Sequence, residues 1–292
     1  DMIAELNTSH AYVGGGDLPE GAGGVPMGYL GADFVPDAGG KAYRIVKLLR
    51  GDGFDLAQRS PLLAPGLNVK EGDCLLAVDG RPVRTDEDIQ SFLVGTAGRV
   101  TSLTVNAKPI LEGARQILVR PMADESKARY YDWVGSRRAY VLKHGGPNIG
   151  YIHLPDMSNS GLVEFAKYYY PNLDKDGLIY DDRFNGGGYI SSMLILQMAR
   201  KPITWFKPRY GASWTRQSWG FPGHSVAVIN ENSGSNGEEF PDIFRREKLG
   251  PVIGVRTWGG EVGSGGGYRL IDGGRLNIPN YANRGEGAWI IA

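Results

Sequence analysis

Cysteine is all but missing from the 292 residues: Cys74 stands alone. That rules out an intramolecular disulfide framework and any cysteine-rich zinc site. Histidine is scarce, with only His10, His144, His153 and His224, and no two of them share the spacing of an H-E-x-x-H helix or another metal-ligating pattern. Neither charge is in excess, since 32 Lys and Arg balance 32 Asp and Glu. A nucleic-acid binder usually carries a basic surplus, so nucleic acid is not an expected partner. No apolar run reaches the roughly 18 residues a membrane-spanning helix needs, and no basic-then-apolar leader opens the chain. Hydrophobic residues still make up 41%, enough for packed cores. The simplest expectation is a soluble, cytoplasmic protein of one large or two ordinary domains, off the membrane and without metal or organic cofactor.

Glycine, by contrast, is abundant. The 44 glycines are about twice the usual share of roughly 7%. They gather at residues 14–16, 186–188 and 259–267, without the period of collagen. Such clusters mark tight turns or places where backbone must approach something closely. The chain opens at Asp1 and stops within Ala288-Trp289-Ile290-Ile291-Ala292, so both ends read as cut from something longer.

Residues 1–30 read as a short helical stretch from Met2 to Leu6, a glycine-rich loop and a linker. Residues 31–121 read as a compact, mostly β unit. Residues 43–48 alternate as a strand should, and Asp79-Gly80 after the apolar run 74–78 signals a two-residue hairpin. A helix is expected over 85–93, capped by Thr85 or Asp86, with further strands over 100–105 and 116–119. Residues 122–148 read as a connecting helix. From 149 onward, apolar strands over 149–154, 177–182, 226–229 and 252–254 alternate with helices over 161–170, 190–200 and 235–248. That order predicts a largely parallel sheet covered by helices.

Three places in this pattern could carry chemistry. Ser235 follows a buried strand and precedes a helix, where helix-start amides favour an oxyanion; on residue type alone it is first of all a helix N-cap. Asn185-Gly186-Gly187-Gly188 has the same layout, with amides able to cradle an anion. Tyr189-Ile190 follows where a phosphate loop needs Lys-Ser/Thr, which rejects the Walker type, and a plain tight turn is the simpler alternative. His10, beside Ser9 in a glycine-rich loop, suits a general base as well as a solvated side chain.

The order of these pieces resembles a known family. Ser9-His10-Ala11-Tyr12-Val13-Gly14-Gly15-Gly16-Asp17 comes first, then the mostly β unit, then Gly150-Tyr151-Ile152-His153-Leu154-Pro155-Asp156-Met157. Arg183-Phe184-Asn185-Gly186-Gly187-Gly188, Gly234-Ser235-Asn236-Gly237 and Arg256-Thr257-Trp258-Gly259-Gly260 follow. Over nearly the whole chain this is similar to the catalytic half of tricorn proteases, relatives of the C-terminal processing peptidases. The resemblance implies an α/β catalytic core over 149–292, a crotonase-like layered sheet with helices, and an inserted PDZ-like domain over 31–121. It implies Ser235 as nucleophile, His10 as general base and Ser9 as the residue linking the base into a hydrogen-bonded tetrad. Gly186, Gly187, Gly188 and the Asn236 amide would then be oxyanion donors. The implied substrate is a peptide or unfolded polypeptide, with no cofactor, and the full-length form is expected to be a homo-oligomer.

Two departures stand out. Asn236 occupies the position where the family has aspartate. Ala292 falls where a Gly-x-Trp-x-x-Glu pattern would place an orienting glutamate, with Glu286 out of register, which leaves a weakly active or inactive enzyme as an expectation. The alternative function is a catalytically impaired peptide-binding protein, its PDZ-like module adding a peptide strand to a sheet edge. Acyl-thioester chemistry is less favoured, because no basic cluster stands out for a phosphoadenosine.

Overall fold

The computed structural model describes residues 3–17, 24–55, 58–201, 203–216 and 220–285. The chain divides into two compact units, Asp1–Pro19 with Arg138–Ala292, and Glu20–Arg137.

The unit Glu20–Arg137 is built on an antiparallel sheet. Its strands run in the order Ala32–Pro36, Tyr43–Leu48, Cys74–Val78, Thr101–Asn106 and Arg115–Val119, and Arg81–Pro82 also pairs with Cys74–Val78. The run Cys74-Leu75-Leu76-Ala77-Val78 is buried at every position because both its faces are covered. Leu75 and Val78 join the main core with Ile45, Leu103 and Val119, while Cys74 and Leu76 join a smaller cluster with Ala42. The hairpin forms at Asp79-Gly80, both with positive φ (46° and 77°), as a type I′ turn requires. The helix expected over 85–93 is a correction. Only the 3₁₀ turn Ile89–Phe92 forms, because extended Asp88 caps it by accepting the Gln90 N–H at 2.8 Å. One turn suffices to bury Phe92 and Leu93. Strand Ala32–Pro36 was not visible in the sequence pattern; its register shifts between Asp33 and Phe34, which interrupts simple alternation.

Four helices lie in the described chain: α1 Ser126–Gly145, α2 Asn159–Tyr169, α3 Ser191–Met198 and α4 Asn236–Arg246. The other unit holds a parallel sheet in the order Val252–Gly254, His224–Ile229, Gly177–Asp181 and Ile149–His153. Ile152, Leu178, Tyr180 and Ala227 of these strands pack with Phe165, Leu194, Phe240 and Phe244 of α2, α3 and α4 in one core. Burial of those apolar faces fixes where α3 and α4 begin, and both helix starts lie at carboxyl ends of parallel strands, where open α/β sheets place their ligands.

Small antiparallel ladders complete this unit. Tyr12–Gly14 pairs with Arg275–Asn277, which also pairs with Gly267–Arg269. Val262–Gly263 pairs with Tyr281–Ala282, and Thr204–Phe206 with Trp214–Arg216.

Phe240→Ala removes a fully buried ring beneath the first turns of α4. It is expected to lower the unfolding free energy by about 3–5 kcal/mol, measurable by urea denaturation.

Candidate active site

Ser235 ends the connection from strand His224–Ile229 and caps α4. Its backbone sits at φ 54°, ψ −127°, a left-handed conformation that costs a non-glycine residue on the order of 1–3 kcal/mol. Its hydroxyl lies 3.1 Å from His10 Nε2, a contact that the helix-cap alternative alone does not explain.

His10 is also left-handed, at φ 61°. Two features hold it there. The strand Tyr12–Gly14 is zipped to Arg275–Asn277, with Tyr12 opposite Asn277, and Asn277 Nδ2 donates to the His10 carbonyl at 2.9 Å. On the other side of the ring, Nδ1 lies 3.2 Å from Ser9 Oγ. Ser235, His10 and Ser9 therefore form one continuous chain of polar contacts. His10, Tyr12, Asn185, Gly186, Glu231, Asn232, Gly234, Ser235 and Trp258 line a cleft of about 300 Å³ around it.

The three glycines are not equivalent. The Gly186 amide donates to Pro155 O at 3.0 Å and the Gly187 amide to Asn185 Oδ1 at 2.9 Å. As oxyanion donors these two are a correction, because their hydrogens are already engaged inside the protein. The Gly188 amide donates to no partner among the described residues, nor does the Asn236 amide that begins α4. Gly187 matters for another reason: at φ 78° a Cβ there would sit 2.7 Å from Ser235 Cβ. The absent side chain lets the loop pass directly over the serine.

Asn185, fully buried, ties the two loops together. Its Nδ2 donates to Leu154 O at 3.0 Å, its Oδ1 takes the Gly187 amide, and its carbonyl takes the Gly234 amide at 3.0 Å. The Asn236 side chain turns away from the cleft: Oδ1 accepts the Ser191 N–H at 3.0 Å, and Nδ2 donates to Ser191 Oγ at 2.8 Å and to Glu239. Arg256 lines a separate hollow with Ile229, Asp242 and Arg245. Ala292, Glu286 and the Gly287-Ala288-Trp289 motif lie outside the described residues. No cluster of His, Cys, Asp and Glu suited to a metal occurs among the described residues.

Sequence reasoning missed Tyr12 as a cleft wall, Asn185 as a tie and the acidic groups behind the serine. Glu238 at the third residue of α4 accepts the Ser235 N–H at 2.9 Å; the Ser-x-x-Glu spacing was a readable capping-box signal. Glu261 is pushed up to about 7 by burial, and the nearby charge of Glu238 adds to the effect, while a hydrogen bond from Asn283 at 2.6 Å opposes it. Asp181 feels the same burial, yet its hydrogen bonds from Arg183 and Tyr151 outweigh it and hold its carboxyl below the usual range. Asp182, fully buried, is raised well above its ordinary 3.8 by burial and then by the Asp181 charge.

Burial in the fold therefore favours the protonated form of Asp182. The stability this allows is fully present below the usual aspartate range and is lost progressively as pH climbs from there through the folded-state value. Asp182→Asn cannot ionise. Its melting temperature is expected to match the parent near pH 4 and to exceed it by a growing margin toward pH 8, measured by thermal unfolding across that range.

The family described as "Tricorn protease PDZ domain" matches residues 28–124, and "Peptidase family S41" matches 148–288. "Tricorn protease homolog 1" of Streptomyces coelicolor is 41% identical over 97% of this chain and 26% of its own length. The "Tricorn protease" of Thermoplasma acidophilum is 34% identical over 97% of this chain and 26% of its own. A crystal structure of the tricorn protease superposes with a TM-score of 0.88 at 32% identity, covering 98% of this chain and 27% of that one. The chain thus spans about a quarter of the length of these relatives.

Proposed function

Because this chain belongs to the tricorn-type peptidases of family S41, we propose that it hydrolyses peptide bonds in peptides or unfolded polypeptides, with Ser235 as nucleophile and His10 as general base. The observation that carries this reading is the 3.1 Å contact between His10 Nε2 and Ser235 Oγ, made across 225 positions of sequence.

In this mechanism Ser9 Oγ accepts the Nδ1–H of His10, which leaves Nε2 unprotonated and able to take the serine proton. As Oγ attacks the peptide carbonyl, the new C–O bond pushes charge onto the carbonyl oxygen and the proton moves to Nε2. The Asn236 amide, at the positive end of α4, and the Gly188 amide are the donors assigned to that oxyanion. The imidazolium returns its proton to the departing amine as the C–N bond breaks, leaving an acyl-enzyme. Water then repeats the sequence, with His10 as its base. The left-handed backbone at both Ser235 and His10 supports the assignment, since strain of this kind concentrates at functional sites. The same kinship supports a cytoplasmic, homo-oligomeric full-length protein.

A fluorophosphonate probe tests the proposal. The chain is expected to form a covalent adduct on Ser235 that disappears in Ser235→Ala. His10→Ala should slow labelling by a factor on the order of 10⁴–10⁶. A folded protein that forms no adduct would leave the peptide-binding alternative, and an adduct surviving Ser235→Ala would overturn the assignment of the nucleophile.

A further inference from the structure

We infer that Glu238 is a positioning residue for this chemistry: its carboxylate clamps the backbone of the nucleophile to the loop that walls the cleft. The kinetic part of the inference rests on the hydrolase reading above; the structural part does not.

Glu238 is 6% exposed, and all three hydrogen bonds drawn to its carboxylate come from main-chain amides. Oε2 accepts the Ser235 N–H at 2.9 Å and the Gly260 N–H at 2.6 Å, and Oε1 accepts the Gly259 N–H at 2.5 Å. The helix explains the first. A glutamate three residues after the cap reaches back to the cap amide, and its charge suits the positive start of α4.

The helix does not explain the other two. Gly259 and Gly260 lie outside any strand or helix, so no ladder satisfies their amides or fixes their path, and Glu238 does both. The same loop carries Trp258, whose amide donates to Ser233 O at 3.0 Å. The Trp258 ring packs so near Gly234 that a Cβ there would lie 3.1 Å from it. Trp258, Gly234 and Ser235 all line the cleft. One carboxylate thus holds the residue that attacks and the wall against which a substrate would rest.

The clamp also suits the left-handed turn. The Ser235 side chain is directed to His10. The helix restrains that residue through its backbone: the Ser235 carbonyl accepts the Glu238 and Glu239 N–H groups at 2.7 and 3.3 Å, and Glu238 takes its amide.

The test uses the full chain with Glu238→Gln and Glu238→Ala, read by backbone amide exchange and by fluorophosphonate kinetics. In Glu238→Gln, the one remaining carbonyl oxygen can serve Ser235 and Gly260 from the Oε2 position, while the new NH₂ faces the Gly259 amide. Protection is expected to be lost at Gly259 in both variants and at Ser235 and Gly260 in Glu238→Ala, with later α4 amides unchanged. The maximal labelling rate should fall about tenfold in Glu238→Gln and about 10²-fold in Glu238→Ala. The probe concentration giving half that rate should stay within about twofold, because the group that moves is the nucleophile.

Wild-type labelling rates in both variants, or retained protection at Gly259, would overturn the inference, even if thermal stability drops. If Glu238→Ala does not fold, Glu238→Gln decides alone. A wild-type chain that is not labelled would sink the hydrolase reading, and exchange at Gly259 and Gly260 would then decide the clamp by itself.

Discussion

A single residue of left-handed backbone, Ser235, organises the cleft. Strand His224–Ile229 runs into it and α4 runs out of it, and the reversal turns the hydroxyl toward an imidazole. An ordinary N-cap residue uses its side chain to satisfy the helix start. Here other groups take part: the Glu238 carboxylate takes the Ser235 amide, and the amides of Glu238 and Glu239 turn to the Ser235 carbonyl. The Gly187 approach, the buried Asn185 tie and the loop over Glu238 all support a turn that local preference alone would not select.

The second constraint is long-range. His10 belongs to a short loop, which a three-residue strand and one asparagine side chain keep in place. Beneath the turn lies a crowded set of acids handled in three different ways. Asp181 is ionised against Arg183, Glu238 is filled by amides, and Asp182 and Glu261 are biased toward their neutral forms by burial. Charge is favoured on Asp181, where hydrogen bonds outweigh burial, and disfavoured on Asp182 and Glu261, where burial outweighs the rest.

Much of this was readable in the sequence, and the parts that were not share a cause. The parallel strands stood out because each is a short apolar run bounded by glycine or polar residues, and the Asp79-Gly80 turn because its chemistry is specific. The pairing of residues 262–282 left no trace: strands of two or three glycine-rich residues carry no alternation to read. Over 85–93 the apolar spacing resembled a helix, but Asp88 took the cap three residues later than Thr85 would have. Gly186, Gly187 and Gly188 look alike as letters and differ only in where their amides go, which depends on Pro155 and the Asn185 side chain. Glu238 was half legible, through its spacing from Ser235; its other partners lie 21 and 22 positions away, beyond any local pattern.

The attachment of His10 to Asn277 gives synthesis a timetable. On a ribosome, the serine loop and its helix emerge before the strand that fastens the imidazole, since Arg275–Asn277 comes some forty residues after Ser235. A growing polypeptide therefore holds a serine without its imidazole contact until that late ladder closes on the residues that follow His10. The order of the sequence thus sets the order in which the two halves of the Ser235–His10 contact become available.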